Sequence, residues 1–224
     1  RDSSTSRGLG DVYKRQVSSD PTFKKFWLLH SIEEPTIEGN RFIVRRTKNG
    51  DTGMLQNHVL LPEAGNAQIE KVGGKGKEFW VFGTNYPNDA LPNRPDDANE
   101  RGAWRVEVSP AAPATEDCFL NVMQVADNTC KRMHDVKRID AEKVVGVQIA
   151  DRVVTFSRDS QPLSGKVDMK VDGNAAMKFV ITDLIPGTWQ IKKDGKVYIP
   201  AMEVRSDDGI LSFEGTAGHY EFLR

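Results

Sequence analysis

The stretch Trp104-Arg105-Val106-Glu107-Val108 alternates apolar and charged residues without a break. Successive side chains on a β-strand point to opposite faces, so Trp104, Val106 and Val108 share one face and Arg105 and Glu107 the other. This is a strand with one buried and one wet face, as antiparallel sheets make. The same period runs outward along the chain. Phe179 and Ile181 alternate with Lys178 and Val180, and Leu211 and Phe213 with Ile210 and Ser212. Between such runs lie Asn49-Gly50, Asp172-Gly173, Asp194-Gly195 and Asp208-Gly209. These pairs supply the positive φ angles of tight turns and predict hairpins. The best helix candidate, Asp135 to Val145, lacks a sustained apolar stripe. The expected fold is all-β, with about twelve to fourteen strands in antiparallel hairpins.

Composition narrows the function classes. The 224 residues are 38% hydrophobic and 28% charged, with a formal net charge of −1. No apolar run reaches the roughly 18 residues a membrane-spanning helix needs. Without a basic excess, nucleic-acid binding has little electrostatic support. Cys118 starts the run Phe119 to Val125, which ends at the turn Asp127-Asn128. A chain folding back there places Cys130 too far from Cys118 for a disulfide, so both are read as unbridged.

The first sixteen residues read differently from the rest. Ser6 to Gln16 resembles the in-frame translation of a transposase sequencing adapter, whose end GAT GTG TAT AAG AGA CAG gives Asp11-Val-Tyr-Lys-Arg-Gln16. Residues 1–16 are therefore expected to be a disordered scar, with natural sequence beginning near Val17 in mid-protein. Without them the chain carries 27 basic against 30 acidic residues. The polar segment Asp159 to Gly165 marks a soft boundary. It predicts an incomplete central β-sandwich over 17–159, part of a larger one, and a small C-terminal β domain over 160–224.

Candidate chemistry is sparse. His30, His58, His134 and His219 show no metal-site spacing with one another, with Cys or with carboxylates. His30 and His58 read as sheet histidines with satisfied partners, His134 and His219 as surface residues. Gly73-Gly-Lys-Gly-Lys77 lacks the spacer and the Ser/Thr of a phosphate loop, and reads as a glycine turn. No Gly-x-Ser-x-Gly elbow exists. No catalytic or metal-binding residue is therefore predicted. Trp27, Trp80, Trp104 and Trp189 all lie in strand runs and are expected to pack in cores. The long segment Thr84 to Gly102, with three prolines, is of the kind that carries function. Tyr86 at its mouth is the candidate sugar-stacking residue. Arg94 and Arg101 are candidates for pairing with a uronate carboxylate.

Several stretches resemble heparinase II/III-type polysaccharide lyases. Phe23-Lys-Lys-Phe-Trp-Leu-Leu-His-Ser-Ile-Glu-Glu-Pro-Thr-Ile-Glu-Gly39, Gly76-Lys-Glu-Phe-Trp-Val81 and Trp104 to Pro110 resemble strands of the family's central sheet. Phe119 to Val125 and Asp151 to Phe156 resemble its closing strands. Asp183-Leu-Ile-Pro-Gly-Thr-Trp189 and Gly218 to Phe222 resemble the small terminal domain. The resemblance implies a helical toroid upstream, an acidic polysaccharide as partner, and a periplasmic or secreted location. It implies β-elimination from a uronate, in which a base removes the C5 proton while the carboxylate charge is neutralised. Catalytic residues, and the zinc ligands of some members, would precede Val17. This chain by itself is expected to be inactive and to hold no cofactor. A non-catalytic carbohydrate-binding or adhesive sandwich module is the alternative.

Overall fold

The structure, a computed structural model, describes residues 9–86, 103–127, 129–130 and 132–224. The described residues form nineteen strands and no helix. The chain divides into two compact units, Arg1–Met133 and His134–Arg224. This moves the boundary expected at 159/160. Strand β13 (Arg152–Ser157) pairs in parallel with β15 (Met177–Ile181), so a cut at 159 would pass through one sheet. The polar composition of 159–165 marks a loop between strands of one unit, and ladder hydrogen bonds decide membership.

In the first unit, β1 (Leu9–Val17), β3 (Thr36–Glu38), β4 (Arg41–Lys48), β5 (Asp51–Leu61) and β10 (Glu116–Ala126) form a five-stranded sheet in the order β1-β10-β5-β4-β3. A second sheet has the order β2-β9-β6, from Trp27–Ser31, Trp104–Pro110 and Ala67–Gly73. Phe42, Val59 and Phe119 of the first sheet pack in one cluster with Trp27, Val106 and Val108 of the second. The face assigned from the alternation at 104–108 is therefore the buried one. A buried polar pair interrupts this unit's apolar interior. Asn57 Nδ2 donates to Asn121 Oδ1 at 2.9 Å, leaving Asn57 Oδ1 and Asn121 Nδ2 without hydrogen-bond partners.

Residues 1–16 depart from expectation. Leu9–Val17 is a strand in antiparallel register with β10, from Leu9↔Gln124 to Val17↔Glu116. Arg15 contributes a two-pronged ion pair, its Nε and Nη2 each 2.5 Å from a Glu116 carboxylate oxygen. Backbone groups along the edge of β10 supply donors and acceptors to any extended segment, whatever its side chains.

In the second unit, β11 (Val136–Asp140), β12 (Val144–Ile149), β13, β15 and β18 (Leu211–Gly215) form one sheet in that order. The other has the order β14-β19-β16-β17, from Lys166–Val171, Gly218–Leu223, Gly187–Lys193 and Lys196–Val204. Their inward faces share a core that includes Trp189, Phe179, Phe213, Tyr220 and Phe222. Phe179 stacks on Phe213 at 4.8 Å between ring centroids. The two polar tips are satisfied: Trp189 Nε1 donates to Ile185 O at 3.0 Å and Tyr220 Oη to Thr216 O at 2.6 Å. Burial, and secondarily the field of Tyr198, pushes the Tyr220 pKa up to about 12.

The four turn dipeptides split. Asn49-Gly50 joins the paired strands β4 and β5, and Asp194-Gly195 joins β16 and β17; all four residues have positive φ. Asp172-Gly173 and Asp208-Gly209 instead carry the chain from one sheet to the other. In these two only the glycine has positive φ, so the type I′ pattern of a two-residue hairpin is not formed and the chain crosses between sheets.

Candidate functional site

The outer face of β2-β9-β6 carries apolar and charged groups side by side. Register places Leu28 beside Glu107 beside Glu70, and His30 beside Arg105 beside Val72. All six point away from the core face of Trp27 and Val106, as the period of two requires. Over them stands the hairpin of β7 (Trp80–Val81) and β8 (Thr84–Asn85). Arg105 ties the hairpin down: its Nη1 donates to Trp80 O at 2.6 Å, and its Nε lies 2.6 Å from Glu107 Oε1. The hairpin base closes through Phe79 N to Asn85 Oδ1 at 2.8 Å and Tyr86 N to Phe79 O at 3.3 Å.

Two concavities open on this face. One, of about 460 Å³, lies among Tyr86, Phe79, Glu78, Trp104, His30 and Arg105. The other, of about 950 Å³, lies between the hairpin and the sheet, against Leu28, Phe82, Glu70 and Glu107. The glycine turn shapes the first. A Cβ on Gly74 would sit 2.9 Å from the Trp104 ring, and Gly74 has φ +78°. The Trp104 ring thus packs against backbone where a Cβ would clash, a place only glycine fills. Hydrogen bonds from its own backbone N–H and that of Gly76 hold the Glu78 carboxyl below its ordinary pKa. Glu78 therefore stays ionised under mildly acidic conditions.

Tyr86 is 56% exposed and lines the smaller concavity. Arg94 and Arg101 lie outside the described residues. His30 departs from the expected satisfied sheet histidine: it is exposed, and its ring forms no hydrogen bond among the described residues. Trp27 and Trp189 are buried as expected, whereas Trp80 and Trp104 are half-buried at the site. Sequence reading passed over Phe82 and Leu28. Phe82, at the hairpin tip, is 98% exposed at φ +46°. The visible trace was Phe82-Gly83 standing where a polar-Gly turn pair is ordinary.

The second unit offers a different surface. On its β14-β19 face, His219 Nε2 lies 3.3 Å from Asp168 Oδ2, and Lys166 pairs with Glu221. Its interior is closed, and its strands span almost the whole unit. Residues 138–224 match the family model of the heparinase II C-terminal domain. The match starts inside β11 and runs through β19, so it falls wholly within the second unit. It contains the stretches 151–156, 183–189 and 218–222 in which the heparinase II/III resemblance was read, and it supports that resemblance for the C-terminal portion. No curated protein matches the chain. Among the described residues of either unit, no three His, Cys, Asp or Glu side chains come together as a metal ion needs. The described residues thus do not fit a zinc ion, and no chemical step is routed through one. Both cysteines are free thiols, as their spacing predicted. No helix among the described residues is long and apolar enough to cross a membrane.

Proposed function

We propose that this chain is the C-terminal β portion of a heparinase II/III-like polysaccharide lyase, exported to the periplasm or beyond. It acts on a uronate-containing polysaccharide by shaping one wall of the cleft and contacting the polymer, while β-elimination is performed by residues outside it. The match of 138–224 to the heparinase II C-terminal domain carries this reading. The strand motifs between Phe23 and Phe156 support it for the rest of the chain. Tyr86 is the polymer-contacting residue of the first unit. Its ring is exposed beside the half-buried Trp104 and the charged Arg105, a pairing of apolar surface with polar groups that suits a sugar ring.

The exposed aromatic groups of the first unit also favour a second reading, a carbohydrate-binding module that does no chemistry in any context. The two are separable. The chain alone, mixed with uronate polysaccharide, should produce no ultraviolet absorbance from unsaturated uronate. Joined to its upstream coding sequence it should produce a clear rise. A rise from the chain alone would overturn the placement of the catalytic groups. Saturable binding with no rise from the joined protein would favour the module.

A further inference from the structure

We propose that the groove between the β7–β8 hairpin and the outer face of β2-β9-β6 binds an unsulfated stretch of polysaccharide, with Phe82 and Leu28 contacting the apolar faces of sugar rings. This deepens the polysaccharide reading above and rests on it.

The hairpin tip carries the inference. Phe82 and Gly83 have φ +46° and +90°, the signs a type I′ turn requires. A bulky L-residue in that region costs of the order of 1 kcal/mol, and phenylalanine has no side-chain oxygen to offset it. Two other turns of the same chain solve the problem at lower cost: Asn49 before Gly50 and Asp194 before Gly195 sit at φ +54° and +49°. Among the described residues, Phe82 is the large apolar side chain at positive φ, and at 98% exposure it stands fully in water. Neither local conformation nor burial accounts for it. Strain and exposed apolar surface coinciding at one residue are expected where a ligand is gripped.

The floor below is of the same kind. Leu28 is 48% exposed and Val81 41%. The space they border, about 950 Å³, is of the size ligand clefts take. A sugar ring offers an apolar C–H face ringed by hydroxyls, which both donate and accept. His30, Glu70, Glu107 and Arg105 around the floor supply both roles.

Charge sets the sulfation state. Among the described residues the groove's cations are Lys24 and Arg105, and its anions are Glu70 and Glu107. Arg105 is already paired with Glu107 at 2.6 Å. A densely sulfated chain needs a surplus of cations, and the two cations here are matched by the two carboxylates.

The test uses the full chain and two oligosaccharides of equal length, from heparin and from fully desulfated heparin, in calorimetric titrations at two salt concentrations. The desulfated form should bind more tightly, with little salt dependence. Phe82→Asn should weaken it about fivefold or more, a loss of roughly 1 kcal/mol. Because asparagine suits the turn, the melting temperature should hold or rise, so lost binding cannot be lost folding. Leu28→Ser should weaken binding in the same direction. Tighter heparin binding that collapses with salt would overturn the proposal, as would equal affinity in Phe82→Asn. Equal affinity in Phe82→Asn with loss in Tyr86→Ala would overturn the groove while leaving the polysaccharide reading standing. No binding of either oligosaccharide would overturn both.

Discussion

The two units are built from the same element and use it differently. In the second, aromatic rings from both sheets fill one interior: Trp189, Tyr220, Phe179 and Phe222 are completely buried. In the first, the described core cluster is smaller, an asparagine pair sits in the interior, and Phe23, Leu28, Phe82 and Tyr86 are left outside, against the less bulky set Val197, Tyr198 and Ile210 in the second. The second unit is organised around its inside and the first around one of its faces. Apolar residues kept in water where a core is available for them are better explained by what they touch in function than by folding.

That comparison can be broken, most forcefully at the second unit's centre. Trp189→Ala removes a fully buried ring and should destabilise that unit by about 3–5 kcal/mol, seen as a lower urea midpoint for its transition. A loss near zero would mean the closed core is not what holds it. Next is the buried ion pair of the first unit. Lys25 Nζ lies 3.0 Å from Asp117 Oδ2, with both side chains at or below 10% exposure. Lys25→Met strands a buried carboxylate and should cost roughly 3 kcal/mol, largely recovered when Asp117→Leu is added.

Tyr220 offers a pH test confined to the second unit. Its raised pKa means the folded state resists losing the phenolic proton. The stability this contributes is fully present below the unfolded value near 10, and it is lost as pH rises through that value toward about 12. Up to roughly 2–3 kcal/mol should disappear across that window, and Tyr220→Phe should flatten the slope. The asparagine pair gives a smaller effect of either sign. Asn57→Ala should cost about 1–3 kcal/mol by leaving the Asn121 amide wholly unpaired, whereas replacing both by leucine should be neutral or stabilising. Chemical denaturation of these two variants would sharpen the view that the first unit's interior is not tuned for stability alone. The smallest change expected is the gain of up to about 1 kcal/mol from Phe82→Asn, and it is the one tied to binding.

Much of the fold was legible. Alternation at 104–108 and 178–181 identified strands and their buried faces, because a period of two is local and needs no partner. The boundary at 159–165 was misread for the opposite reason: β13 joins β15 through a ladder that composition does not encode. The strand at 9–17 escaped notice because its partner, β10, lies about a hundred residues away. At the site, Tyr86 was visible as an aromatic at the mouth of a long proline-rich segment. Phe82 was not, since exposure belongs to the folded surface and not to the residue.

By itself, then, the sequence determined that this protein is all-β, which faces of its strands are apolar, and that its C-terminal part resembles a heparinase-type domain. Those properties reside in residue order and short-range sterics. Only the tertiary structure decided which strands share a sheet, which turns make hairpins, and that Leu28, His30, Arg105 and Phe82 border one groove. Each of these depends on pairing between distant segments, where hydrogen-bond ladders and the covering of apolar faces compete over the whole chain.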